Sequence, residues 1–574
     1  MTSPAKEQPV TDVFATAVIT IGAAMIAGTV VLWGAAVLAS GVTGAGWHTG
    51  DVGQALDFAG AVLSGDRPND AWIATSGRAT WGGGAAAYWS AAVLLIGLGG
   101  GLAWIVWRTL HGRTLTRRKR RSDAQWASRR DERGMAVRSD PATRPYRLVA
   151  GRSKATRRCL AADDCVSAVV FGPNGAGKTV GLIIPNVLEW AGTVVMTTAK
   201  PQDLTPVIGR RSALGPVWVV APGGAPGTMT ARWSPVAYAA DPEAADRMAD
   251  WLVESSGMTG DPKARPWNAQ ARKYLKGLLL AANVDDRGID GFIEWAYEGE
   301  LARERVEQIL HEHRFTNVAR EYASTWQIHE EGRGSVLFTA FGLADTYNRP
   351  TVRAAAACSD FTAAELFDED RPGTLLLVTP QSETERYTPY FTALISSIVH
   401  EAEVRAAERG GPIEPRVLLA LDEAGNVFRY PRLPHLLTTG RGNGIQLLLA
   451  YHDIAQIEHL YGGREVARTV LSNAKLRILL AGVGDIETLR YFSDLLGQTR
   501  VRLGGEQTGP DGKRSRSHSE QRESLAPLHL LQQLPDGEAV VLYQNLPPAR
   551  VKLRRWYADK ALRQLANTQE EART

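Results

Sequence analysis

The chain has 574 residues and a mass of 62.2 kDa, which is room for roughly three or four domains. A mean hydropathy of −0.17, with 44% hydrophobic and 22% charged residues, excludes both a polytopic transporter and a disordered chain. Net charge is only +4, and three cysteines (Cys159, Cys165, Cys358), none in a CxxC pair, exclude a disulfide scaffold and a zinc ribbon.

No charged residue occurs between Asp12 and Asp51, and Val13–Ser40 is almost wholly apolar. A second uncharged window, Ala79–Trp107, has its apolar core at Tyr88–Trp107. Each core reaches the ~20 residues needed to cross ~30 Å of hydrocarbon, which predicts spans at about residues 13–40 and 86–107. The segment before the first span is not basic, unlike the start of a cleaved signal. Seven positive charges and no acid lie within Arg108–Arg121. By the positive-inside rule, both termini and the large C-terminal body are cytoplasmic, and the chain is a multi-pass protein of the cell membrane. Eight of the sixteen tryptophans fall in the first 126 residues, where interfacial rings are expected. Residues 1–107 are thus expected to form a membrane anchor, with a Gly-rich outward loop at about 43–86. Residues 108–150 are expected to form a basic juxtamembrane linker.

From Cys165 an apolar run, Cys-Val-Ser-Ala-Val-Val-Phe, predicts a buried strand, and an apolar helical stretch follows residue 179. Between them stands Gly172-Pro173-Asn174-Gly175-Ala176-Gly177-Lys178-Thr179, a GxxxxGK[ST] loop in its required strand–loop–helix setting. Glycines at these positions let backbone N–H groups wrap phosphate oxygens, aided by the positive end of the following helix. Lys178 is placed to reach the β- and γ-phosphates of ATP, and Thr179 to hold Mg²⁺. Such a loop needs a carboxylate at a neighbouring strand end. Arg416–Leu421 is a hydrophobic strand ending in Asp422 and Glu423. Asp422 is expected to bind Mg²⁺ through water, and Glu423 to polarise the attacking water as general base.

Further strands are predicted at Thr193–Thr198, Trp218–Val220, Thr374–Thr379, Ile445–Tyr451, Lys475–Gly482 and Ala539–Gln544. Their spacing by helical stretches gives a doubly wound α/β core. Between Pro235 and Asp360 no such strand occurs, and amphipathic stretches such as Ala269–Asn283 and Ala302–His313 predict helices. An all-helical domain at 236–360 therefore splits a P-loop ATPase core made of 151–235 and 361–574. Thr499–Ser524 is polar, Gly- and Pro-broken and basic without aromatics, which predicts a solvated loop or one that tracks phosphates.

This ordered set resembles the TraG-like type IV coupling proteins, the membrane-anchored ATPases of conjugation and type IV secretion. The two spans and GPNGAGKT are followed by Pro185-Asn186, a Thr-Ala-Lys200 strand end and Trp-Ser-Pro235 before the helical insertion. Leu421–Asn426 (LDEAGN) is similar to the family's extended Walker B, Gly440-Arg441-Gly-Asn-Gly444 to its GRxxG segment, and Leu-Pro-Asp-Gly-Glu…Asn-Leu-Pro-Pro548 to the end of its recognition region. The resemblance implies a RecA-like core in a homo-hexameric ring, ATP between subunits and DNA through a central channel. It implies partners that include relaxase-bound single-stranded DNA and type IV secretion channel proteins. It also implies Arg441 as an arginine finger acting in trans. One departure stands out. Where the family usually has Gln after the next strand, this chain has His452, a possible γ-phosphate sensor whose protonation would make it pH-dependent.

The function so implied is an ATP-hydrolysing coupling protein that recruits a relaxase-bound DNA, or a protein, and drives it into a secretion channel. A DNA pump of the FtsK/HerA type, a protein-export ATPase, and a nucleotide-gated adaptor with little turnover remain open on the residues alone.

Overall fold

The computed structural model describes residues 10–79, 81–118, 123–138, 140–255, 265–424, 430, 432–461, 463–508 and 514–568. The chain divides into two compact units, Met1–Ser122 and Asp123–Thr574.

In the first unit, the apolar stretches form two long helices, Val10–Val42 and Gly84–Arg118. Their windows Met25–Val42 and Gly84–Gly101 are long and apolar enough to cross a membrane. The basic stretch continues the second helix as far as Arg118, and residues 119–121 lie outside the described set. The connecting segment differs from the expected loop: it folds into helices Val52–Leu63 and Pro68–Ser76. The tryptophans explain why. Trp33, Trp72 and Trp81 are buried with Phe58 and Tyr88 in one apolar cluster. Trp33 and Trp72 sit 5.2 Å apart, and Trp81 stacks on Tyr88 at 5.8 Å. Such ring pairs add about 0.5–1.5 kcal/mol each beyond their burial. Among the described tryptophans of this unit, Trp47, Trp89 and Trp104 are exposed.

The second unit is built on a twelve-stranded sheet whose strands are, in chain order, β1 (Ala136–Val137), β2 (Val149–Ser153), β3 (Cys159–Ala161), β4 (Ala168–Phe171), β5 (Thr193–Thr198), β6 (Val217–Val220), β7 (Thr374–Val378), β8 (Val417–Leu421), β9 (Ile445–Tyr451) and β10 (Leu476–Leu480). A separate two-stranded ribbon, β11 (Gln498–Thr508) and β12 (Arg514–Ser524), interrupts the sequence before β13 (Glu538–Tyr543) and β14 (Ala549–Lys552) complete the sheet. Spatial order is β1-β3-β2-β14-β13-β10-β4-β9-β8-β5-β7-β6. From β10 to β6 all neighbours are parallel, and β13 to β1 add an antiparallel flank. The parallel strands are the ones whose unbroken Val/Leu/Ile runs announce burial on both faces.

Strand alternation sorts those side chains into two cores. Val169, Phe171, Val195, Leu419, Leu421, Leu447 and Leu449 face one side, where they join the helices between Pro235 and Ala355. Ala168, Val170, Val194, Met196, Leu418, Ala420 and Leu448 face the other, against Ile184, Val187 and Leu188 of the helix that follows the phosphate loop. As predicted, among the described residues no strand lies between Pro235 and Asp360, and helices Arg265–Val284 and Arg303–Glu312 cover the two amphipathic stretches. Two predicted elements change. The Cys165 strand begins only at Ala168, because Cys165 adopts φ +53°, and Thr499–Ser524 is a paired ribbon rather than a loop.

A buried ionic chain ties the C-terminal segment to the sheet. Arg144 and Arg554 both meet Glu189, at 2.8 and 2.9 Å, and Arg554 also meets Asp559 at 3.0 Å. Arg152 reaches the same Asp559 oxygen at 2.9 Å. Burial alone would raise the Asp559 carboxyl, but the two guanidiniums hold it down at about 2. Its pairing therefore stabilises the fold above the ordinary carboxylate pKa and is lost as pH falls toward 2. Replacing Arg554 by Met leaves Glu189 and Asp559 buried and underpaired. The expected loss is about 3–5 kcal/mol, read as a lower urea midpoint at pH 7. An unchanged midpoint would show the chain of charges to be energetically idle.

Candidate functional site

Three adjacent parallel strands, β4, β9 and β8, end at the same edge of the sheet. Phe171 lies opposite Tyr451 and Leu421 opposite Leu449, so the residues just beyond them converge. The crevice outside the carboxyl ends of parallel strands is the usual ligand position in such sheets.

The loop Gly172–Thr179 follows β4. The Gly172 N–H donates to the Tyr451 carbonyl at 3.1 Å, and the Ala176 N–H closes the turn on Pro173 O at 3.2 Å, with Ala176 itself packed in the core. Gly175 and Gly177 have φ of +83° and +89°, the left-handed region that glycine enters freely, which turns successive N–H groups toward a common concavity. Pro173, Asn174, Gly175, Gly177, Lys178 and Thr179 line a cavity of about 310 Å³. Asp422 and Glu423 line the same cavity.

The Thr179 hydroxyl donates to Asp422 Oδ2, joining the two halves of the site. Asp422 is 6% exposed, its backbone carbonyl accepts from Thr197 Oγ1 at 2.8 Å, and burial pushes its carboxyl up to about 6. Its second oxygen, Oδ1, is buried without a hydrogen-bond partner. A hydroxyl beside a buried carboxylate with one uncommitted oxygen fits Mg²⁺, which takes one or two protein oxygens and completes its shell with water and phosphate. Thr179 and Asp422 are the residues that would hold it. Among the described residues no cluster of three or more His, Cys, Asp or Glu offers an all-protein metal cage. Glu423 sits at φ +53°, a conformation costing a non-glycine residue roughly 1–2 kcal/mol and concentrated at functional sites.

Lys178 is 6% exposed and folded back: its Nζ donates to Gly172 O at 2.6 Å and lies 3.4 Å from Pro173 O and from His452 Nδ1. Burial lowers its pKa, partly opposed by Asp422 and Glu423. An ammonium can only donate, so in this contact Nδ1 of His452 is the accepting atom when Lys178 is charged. Burial, then the Lys178 charge, lowers the His452 pKa. His452 is thus a neutral partner of the lysine, and its backbone N–H is held by Gln456 Oε1 at 3.0 Å.

Sequence reasoning missed the third wall. Thr198, Lys200 and Asp203, at the end of β5, also line the cavity, and Thr198 Oγ1 donates to Asp203 at 2.8 Å. Lys200 carried a motif signal only through its place after Thr-Ala, and Asp203 none. Arg441 is not brought to the cavity: it is exposed on the last turn of helix Leu433–Asn443. Gly425 and Asn426 of the LDEAGN motif lie outside the described residues.

With this geometry in view, residues 121–574 match the family described as Type IV secretory system Conjugative DNA transfer. A conjugal transfer protein TraG of Escherichia coli is 27% identical over 360 residues, covering 58% of this chain and 55% of its own. Protein VirD4 of Agrobacterium fabrum is 23% identical over 438 residues, covering 70% and 60%. The match therefore spans little more than half the length of these relatives. Among solved structures, the bacterial conjugative coupling protein TrwBdeltaN70 has the same fold, with a TM-score of 0.56 at 17% identity over 75% of this chain and 92% of that one. TrwB in complex with ADP and Mg²⁺ gives a TM-score of 0.55 at 16% identity, over 75% and 94%.

The Lys178–His452 contact makes a direct prediction. Lys178→Met removes the cation beside the imidazole and so raises the His452 titration midpoint, while burial still holds it below that of a free histidine. Carbon-13 histidine NMR reads the shift, and an unmoved midpoint would refute the contact.

Proposed function

Because the chain belongs to the type IV secretory system conjugative DNA-transfer family, we propose that it is a membrane-anchored coupling ATPase that recruits relaxase-bound single-stranded DNA and drives it into a type IV secretion channel. The single observation that carries this reading is the Thr179–Asp422 pair beneath a phosphate-wrapping loop, with one carboxylate oxygen uncommitted.

On this reading ATP enters with its phosphates against Gly175 and Gly177. Lys178 leaves its carbonyl partners for the β- and γ-phosphates, and His452, no longer facing the ammonium, is positioned for the γ-phosphate or the attacking water. Mg²⁺, when bound, neutralises phosphate charge at Thr179 and Asp422. Glu423 orients and deprotonates the water, and its strained backbone aims the carboxylate at the cavity. Arg441, remote from its own subunit's cavity, serves the neighbour's site in a homo-hexameric ring. The domains follow the same logic: anchor 1–107 with the body on the cytoplasmic side of the cell membrane, linker 108–150, whose residues from Asp123 onward belong to the second unit and whose β1 joins the core sheet, ATPase core 151–235 with 361–574, and helical domain 236–360. Relatives named as conjugal transfer proteins, and a neighbour holding ADP and Mg²⁺, support the reading.

Glu423→Gln keeps the cavity's shape and removes the base. Nucleotide affinity should stay within about threefold while hydrolysis falls by ~10²–10⁴. Hydrolysis at the wild-type rate would assign the base elsewhere. Mixed assemblies of Arg441→Ala and Lys178→Ala subunits should regain activity that neither has alone, since a finger in trans contributes ~10³–10⁵ in rate. No recovery despite proven co-assembly would confine Arg441 to a structural role.

A further inference from the structure

The ribbon β11–β12 stands apart from the main sheet and pairs without a break, from Gln498 opposite Ser524 to Thr508 opposite Arg514. Directly paired residues share a face, and faces alternate along each strand. Arg500 pairs with Arg522, Arg502 with Glu520, Glu506 with Arg516 and Thr508 with Arg514, which places all five arginines of the two strands on one face. Only two glutamates oppose them there, and His518 shares the face opposite Gly504. The other face holds Val501, Leu503, Ser515, Ser517 and Ser519, with Glu523 as its one formal charge. A polar stretch that reads as featureless in sequence is therefore sorted by register into a cationic face and a neutral one.

The ribbon is rooted on the body at its base. The Ala124 N–H donates to Gln498 O at 2.7 Å, the Leu525 N–H to Gly497 O at 2.8 Å, and Arg500 pairs with Asp123 at 3.1 Å and Glu520 at 3.4 Å. Two strands alone are marginal in water, so a long ribbon of this kind gains from a partner along its length. Each strand is 11 residues, about 37 Å when extended. Same-face positions recur every ~6.8 Å, a linear repeat suited to a chain of phosphates and not to a single anion. Guanidinium groups are the preferred phosphate ligands. The strands contain no Trp, Tyr or Phe, so no large ring is present to stack on bases or to insert into lipid.

We propose that the arginine face of this ribbon is a sequence-independent surface for the phosphate backbone of single-stranded DNA. The inference rests on the coupling-ATPase reading above and adds a site that reading does not contain.

The test uses the full chain in detergent and a fluorescent oligothymidylate, titrated across a series of salt concentrations. Arg502→Gln, Arg514→Gln, Arg516→Gln and Arg522→Gln together remove four candidate phosphate contacts. Affinity should fall at least about tenfold and the log–log salt slope should flatten by about 3, at ~0.7 per phosphate. The same four positions changed to Lys should keep most of the slope, and Ser515→Gln, Ser517→Gln and Ser519→Gln on the other face should change neither quantity. The lysine variant also guards against a folding defect mistaken for lost binding. Wild-type binding with an unchanged slope in the glutamine variant overturns the ribbon assignment and leaves the DNA reading standing. No DNA binding by any of the proteins overturns both. Loss of binding to phosphatidylserine vesicles in the glutamine variant, with DNA affinity intact, would reassign the face to a membrane surface.

Discussion

One contact organises the second unit: the hydrogen bond from Thr179 to Asp422. It joins a loop after β4 to a carboxylate after β8 across the intervening β9, and it forms only if three parallel strands hold their register. That register follows from burial. With Val169, Phe171, Leu419 and Leu449 committed to one core and Val170, Leu418 and Leu448 to the other, a one-residue slip would send every side chain to the wrong face. The site is therefore a consequence of core packing, and its polar groups sit where the sheet runs out of hydrophobic residues.

The same edge explains the electrostatic character of the cavity. Lys178, Lys200, Asp203, Asp422 and Glu423 line one small volume, and burial weakens the charged form of both Lys178 and Asp422. Such a site stores polar groups that are incompletely solvated until a charged ligand arrives. His452 lies beside this lysine, and burial and the Lys178 charge both disfavour its protonated form.

Much of this was legible in the sequence because it depends on local signals. The phosphate loop is defined by its own glycines, and each parallel strand by an unbroken apolar run, so Thr193–Thr198 and Ile445–Tyr451 match the predicted bounds. The helical character of Pro235–Ala355 followed from 3.6-residue periodicity. Features that depend on partners distant in sequence were not legible. The flank strands β1, β3 and β14 have only 2, 3 and 4 residues and exist because the sheet offers them a neighbour. Arg144, Glu189, Arg554 and Asp559 meet although the first and last lie 415 residues apart, with no spacing to reveal it. Trp72 and Trp81 join Trp33, Phe58 and Tyr88 in one cluster, a set of partners that aromatic composition does not reveal. The ribbon was hidden for the opposite reason: its alternation is between charge and neutrality, without the hydrophobic contrast that marks a strand.

The central claim is that the Thr179–Asp422 cavity turns over ATP in the service of DNA movement. Its most direct measurement is the Mg²⁺-dependent ATP hydrolysis rate of the full chain in detergent, with and without single-stranded DNA. The account predicts hydrolysis that requires Mg²⁺ and rises several-fold when DNA is added. Hydrolysis indifferent to DNA, or none at all in a protein that binds both ligands, would contradict it.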